Sequence, residues 1–318
     1  MSKYRNNLPQ LAGGFFIADG GLETTLVFHE GLELPYFAAF DVLKTREGTA
    51  RLLAYKERFI ALAKKTGTGL VLHGCTWRAS PDWGAKLGYS LDELAKVNRR
   101  SVELMVALRW EHETKRTPIV LSAVVGPRGD GYQVGNAMTA KEAQDYHRFQ
   151  IGIFADTEAD LVSAFTLTYA EEAIGIVRAA KTVHLPCVIS FTVETDGKLP
   201  SGQSLKDAIE QCDRETAGGP VYYMINCAHP THFEAELRKG GAWRERLRGL
   251  AANSSKRSHA ELDSSPDLDI GNPAELGEDY RRLRTFLPQL TILAGCCGTD
   301  TRHVEHICRS CLPEAAAA

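Results

Sequence analysis

No apolar run in this sequence approaches the roughly 20 residues that a membrane-spanning helix needs, so no contact with a bilayer is expected. The opening stretch, Met1 to Gln10, is polar and has no apolar core of the signal-peptide kind, which makes the cytoplasm the expected location. An excess of one charge is missing too, with 37 basic residues against 40 acidic ones. Such a balance creates no field that would draw nucleic acid or an anionic membrane surface. Small molecules are the expected partners, and a homo-oligomer is left open.

What is present points to a packed globular protein. Hydrophobic residues make up 44% of 318 positions, enough for a large core. A single domain over 1–318 is expected, since single α/β barrels commonly reach this length. The eight cysteines, with no secretory leader, are expected to be mostly reduced, so metal ligation or plain burial comes before disulfide bonding.

Apolar runs about as long as buried parallel strands alternate with segments of helical period. The strand-like runs are Phe15 to Ala18, Gly69 to Leu72, Ile119 to Val125, Asp160 to Phe165, Cys187 to Val193, Val221 to Ile225, Leu250 to Ala252 and Leu290 to Leu293. Between them, Leu52, Tyr55, Phe59 and Leu62 fall at helical spacing. Ser90 with Glu93 and Thr139 with Glu142 have capping-box spacing. Asn272, Pro273 and Glu275 give a third helix start. Eight alternating units without internal repeats predict a (β/α)8 barrel of the TIM type more readily than an open doubly wound sheet. Two loops exceed what a barrel requires, a glycine-rich one at 126–138 and a polar insertion at about 253–271. Both follow strands, so both belong to the catalytic face, as substrate covers or as surface decoration.

Three cysteines fall where strands end: Cys227 after the sixth, and the adjacent Cys296 and Cys297 after the eighth. Adjacent cysteines rarely bridge each other, because disulfide geometry strains so short a loop. A metal can accept both thiolates. Three thiolates with one open position suit a catalytic zinc, Zn2+, and a barrel would bring all three to its C-terminal rim. A zinc so ligated generates hydroxide poorly but can hold an incoming thiol as thiolate. Alkyl transfer to sulfur is the chemistry this suggests.

These elements carry a resemblance. Asp19-Gly20-Gly21, Gly126-Pro127, Ile225-Asn226-Cys227 and Gly295-Cys296-Cys297-Gly298, in this order over nearly the whole chain, are similar to the homocysteine S-methyltransferase family. The resemblance implies a zinc barrel with Cys227, Cys296 and Cys297 as ligands. It implies an acceptor pocket lined by Asp19, Gly20, Thr76 and Asn226, a small-molecule thiol or selenol acceptor, and a sulfonium or ammonium methyl donor.

Two departures from the family pattern bear on the substrates. Where relatives carry a glutamate that binds the amino group of homocysteine, this chain has Phe165 in Ala164-Phe165-Thr166-Leu167. A charged amine left unpartnered in a closed pocket costs on the order of several kcal/mol. Glu23 and Glu194, each just beyond a strand, are the candidates for a displaced carboxylate. After the second strand Arg78 stands in place of a tyrosine, while Trp77, Trp83 and Tyr132 could offer an aromatic face to a methyl-bearing cation. His73, at the end of the second strand, is the candidate for holding a proton. Arg128 and Asp130 are either substrate contacts or solvated loop charges.

The remaining cysteines and histidines read more plainly. Cys187 and Cys212 are expected in the core, Cys75 as a packed thiol or an added ligand, and Cys308-Arg309-Ser310-Cys311 as an incidental pair in a terminal helix. His229 and His232 are expected to hydrogen-bond near the site rather than ligate. The alternatives to methyl transfer are a zinc hydrolase and a thiol- or zinc-binding module without turnover.

Overall fold

The computed structural model describes residues 2–312. Eight strands pair in chain order and close on themselves, β1 hydrogen-bonding to β8, all in parallel. They are β1 (Phe16–Ile17), β2 (Gly69–His73), β3 (Ile119–Val125), β4 (Leu161–Leu167), β5 (Cys187–Phe191), β6 (Tyr222–Asn226), β7 (Leu247–Ala252) and β8 (Ile292–Gly295). A helix follows each: α1 (Arg46–Thr66), α2 (Leu91–His112), α3 (Ala140–Ala155), α4 (Ala170–Thr182), α5 (Leu205–Thr216), α6 (Pro230–Arg238), α7 (Pro273–Arg284) and α8 (Thr301–Cys311). This is the (β/α)8 barrel expected from the pattern. Both capping boxes form, and Asn272 caps α7 through Ala274 and Glu275.

The period-two alternation of strand residues sorts side chains into two cores. Inside the barrel lie Phe16, Val71, Val120, Leu161, Val188, Tyr222, Met224, Ile292 and Ala294. Outside, Ile17, Leu70, Leu72, Ile189, Tyr223, Ile225 and Leu293 pack against helices. Continuing the inward parity toward the rim reaches His73, Phe165, Asn226 and Cys296. Leu8 joins the inner core from the N-terminal segment, which Tyr4 N ties to Asp160 Oδ1 at 2.7 Å just before β4.

Strand bounds differ from the expectation most at β4, β5, β7 and β8, and β5 ends earlier, at Phe191. β4 runs on to Leu167 through a register shift between Ala164 and Leu167, where Thr166 adopts φ 63°. Such a bulge re-aims the residues beside it. β7 begins earlier, at Leu247. β8 begins later, at Ile292, and ends at Gly295, whose N–H donates to Asp19 O at 2.9 Å. The stretch Leu290–Thr291 instead turns into the strand.

Candidate active site and metal centre

The rim of the barrel is built by local backbone devices before any side chain acts. Gly21 N donates to Thr299 O (3.0 Å) and Gly298 N to Thr24 Oγ1 (3.3 Å), which fastens the loop after β1 to the loop after β8. A Cβ on Gly21 would stand 2.7 Å from Cys296 O, so only glycine permits this approach. Tyr280 of α7 reaches between β7 and β8, accepting from Ala252 N at 2.8 Å and donating to Ala294 O at 2.6 Å. Cys227 itself takes a left-handed conformation, φ 53°, uncommon for a non-glycine residue and held only where surroundings enforce it. Its carbonyl accepts from His259 Nε2 (2.5 Å) and Asn253 Nδ2 (3.1 Å).

Three sulfurs meet as a result. The Sγ atoms of Cys227, Cys296 and Cys297 all lie within 4.8 Å of one another, and they are the one such cluster of metal-binding side chains among the described residues. Cys227 and Cys296 are in disulfide contact, with Cα atoms 5.5 Å apart, and Cys297 Sγ is 3.9 Å from Cys227 Sγ. This pair departs from the expectation of reduced thiols, which the other six cysteines meet. Residues 69 positions apart meet here because the barrel brings two strand ends together, as their places after the sixth and eighth strands imply. Three soft donors converging from two strand ends fit a thiophilic metal once that pair is reduced. Burial, followed by the nearby charge of Glu23, pushes the Cys297 thiol up to about 11.

Asn226 organises the ground beside the sulfurs. Its Oδ1 accepts from Thr166 N (2.9 Å) and Ser190 Oγ (2.7 Å), and its Nδ2 donates to Thr166 Oγ1 (2.9 Å) with Cys296 Sγ 4.0 Å away. One side chain thus joins β4, β5 and β6 at the foot of the cluster. On the opposite side, Tyr132 from the glycine-rich loop brings its hydroxyl to 3.9 Å from Cys297 Sγ and stacks on His259, ring centroids 4.2 Å apart. Both long loops therefore cover the sulfurs.

A cavity of about 530 Å³ opens over this rim. Asp19, Gly20, Glu23, His73, Trp77, Arg78, Asn226 and the three cysteines line it. Thr76 and Glu194 do not. Thr76 is fully buried and turns back to donate to Val124 O at 2.7 Å, so it braces β3. The Glu194 carboxylate lies 3.0 Å from His259 Nδ1 and orients that ring. Trp83 also lies away from the cavity, with Arg78 and Lys86 over its ring at 4.0 and 3.9 Å, so it has no face for a donor cation.

Asp19 and His73, which line the cavity, form a hydrogen-bonded triad with the buried Lys56. Asp19 bonds to Lys56 Nζ and, at 2.9 Å, to His73 Nδ1. Burial would raise the Asp19 carboxyl, but Lys56 and His73 outweigh it and hold the group well below the usual carboxylate range. His73 meets Phe165 edge to face, centroids 5.0 Å apart. Lys56 and His259 were not singled out by sequence. Lys56 could have been, because it shares the inward stripe of α1 with Leu52, Tyr55 and Phe59, where a lysine needs an ionic partner. His259 sits in a short helix, His259–Asp263, inside the polar insertion, where no period marks it.

The other histidines and cysteines match their plainer readings. His229 caps α6, accepting from Thr231 N at 3.3 Å, and His232 meets Lys256 O at 3.0 Å. Cys75 packs beside Ser101, Cys187 and Cys212 are in the outer core, and Cys308 and Cys311 lie buried in α8. Arg128 pairs at the surface with Asp82, 3.0 Å, and Asp130 caps the turn at Tyr132, 2.8 Å.

Comparison with known proteins decides the family. A family profile described as homocysteine S-methyltransferase matches residues 16–311. The chain belongs to the homocysteine S-methyltransferase family. Among relatives of this methyltransferase, homocysteine S-methyltransferase 1 of Arabidopsis thaliana is 26% identical over 95% of each chain. Selenocysteine Se-methyltransferase of Brassica oleracea var. italica is 26% identical over 93% of this chain and 88% of the relative. The metallated form of the homocysteine methyltransferase MmuM from Escherichia coli superposes with a TM-score of 0.73 at 17% identity, covering 96% of this chain and 99% of that one. As a member of the family the protein is an enzyme that moves methyl groups between small molecules. Among its described residues no helix is long and apolar enough to cross a membrane.

Proposed function

We propose that the protein methylates the sulfur or selenium of a small thiol or selenol, taking the methyl group from a small sulfonium or ammonium donor, with zinc held by Cys227, Cys296 and Cys297. The observation that carries this reading is the convergence of three cysteine sulfurs within 4.8 Å at the base of a 530 Å³ cavity. Zinc bound there supplies a Lewis acid that keeps the acceptor deprotonated near neutral pH. Donor sets of this kind favour zinc over harder metals.

The chain's own groups do the rest. Asn226 fixes the approach beside Cys296, and Tyr132 with His259 walls off the sulfurs from water. In-line attack on a methyl carbon requires alignment more than proton transfer, so a closed, rigid pocket is the main contribution. A cationic donor entering it meets the exposed Asp263, with Tyr132 beside it. The relatives' names supply the first acceptors to try, homocysteine and selenocysteine.

The test is incubation of reduced, zinc-loaded enzyme with these acceptors and a panel of methylsulfonium and methylated ammonium donors, following methylated product by mass spectrometry. Transfer that disappears in Cys297→Ser is expected. A zinc-loaded enzyme that binds thiols yet transfers no methyl group from any donor class would contradict the reading.

A further inference from the structure

An amino-acid acceptor brings an ammonium and a carboxylate, and both need partners once water is excluded. The Asp19 triad supplies none to spare. Asp19 is already engaged by Lys56 and His73, and Phe165 beside them is apolar. The acids of the two cover loops are poorly placed as well, since Asp130 is committed to the Tyr132 turn and Asp263 is exposed.

Glu23 and Arg78 are different. Glu23 is half-buried, lines the cavity and has no ion-pair partner among the described residues. It lies between Gly21 and Thr24, the two residues fastened to the Cys297 loop, and shares the cavity lining with the three cysteines. Arg78 gives Nη1 to Tyr36 O, while its Nε is buried without an acceptor. Its guanidinium is steadied over the rings of Trp77 and Trp83, 4.8 and 4.0 Å away. The two residues face one cavity with opposite charge and unspent hydrogen-bonding capacity.

We infer that Glu23 and Arg78 together recognise the amino-acid head of the acceptor, Glu23 binding its ammonium and Arg78 its carboxylate, while its sulfur or selenium lies at the three cysteines. This rests on the methyl-transfer reading above. It moves ammonium recognition off β4 to the segment after β1.

The experiment is a binding titration of reduced, zinc-loaded enzyme with three thiols: homocysteine, mercaptobutyrate, which lacks the ammonium, and aminopropanethiol, which lacks the carboxylate. Wild type should prefer homocysteine over each analogue by about tenfold or more, the usual worth of a charged hydrogen bond. Glu23→Gln should erase the preference over mercaptobutyrate and keep the other. Arg78→Met should do the reverse. These selective losses are what a merely structural role would not produce, and zinc content should be unchanged in both variants. If Glu23→Gln retains the full preference, or wild type binds all three thiols equally, the inference is overturned while methyl transfer stands. Wild type that holds zinc but binds none of the three would overturn the functional reading and this inference with it. Should Arg78→Met fail to fold, the Glu23→Gln comparison alone decides.

Discussion

A buried lysine that leans on one carboxylate makes that carboxylate hard to replace. Lys56 is 3% exposed and its ion-pair partner is Asp19. Asp19→Asn should destabilise the protein by about 3–5 kcal/mol, the usual result of stranding a buried charge, as read from urea denaturation at neutral pH; an unchanged midpoint would contradict the assignment. The sign of the pH effect follows from the depressed carboxyl. Its contribution is complete above the unfolded value of about 3.9 and is lost only as pH falls well below it. At this scale the sequence was partly legible. Cysteines after strands can be read directly, because strand ends in a barrel share one rim. Thr76 and Glu194 could not be told from pocket residues, since a rotamer of Thr76 and the presence of His259 decide where they point.

Elements carry the next two expectations. His229 caps α6 while almost fully buried, and burial, then the charges of His232 and Lys256, bring its pKa down from 6.5 to about 4. Protonation therefore favours the unfolded chain, so this contribution to stability is intact above pH 6.5 and falls away as pH drops toward 4. The loss is about 3 kcal/mol across that window. His229→Asn keeps a capping acceptor without the titration, and its urea midpoint should fall less steeply with acid than that of wild type. Equal slopes would count against a lowered His229 pKa as the source of the acid loss.

Among the anchors of the polar insertion, His259 is the one that bridges Glu194 and the Cys227 carbonyl. His259→Ala should loosen the insertion, seen as faster proteolytic cleavage within 253–271 and slower methyl transfer. Resistance equal to wild type would mean that the other contacts of the insertion suffice. Capping boxes and helical stripes were legible here because their determinants lie within a few residues. The function of the insertion was not, because its contacts come from Glu194 and Cys227, far away in sequence.

For the whole molecule, closure of the barrel turns distant sequence positions into one site. Inward parity along β6 and β8 carries Asn226 and Cys296 to the rim, and the left-handed turn at Cys227 adds a sulfur that parity alone would send outward. The fold was legible because each strand and helix announces itself locally and parallel order leaves few topologies. The bulge in β4 at Thr166, whose N–H donates to Asn226 Oδ1 across the sheet, was not.

The most direct test of the central claim is metal analysis of reduced protein, wild type beside Cys296→Ser. The account predicts about one zinc ion per wild-type chain, as three thiolates with an open position should hold, and little in the variant. Wild type produced with ample zinc that holds none, and takes up none under reducing conditions, would show that the three cysteines only pack or pair, and methyl transfer through a metal centre would be contradicted.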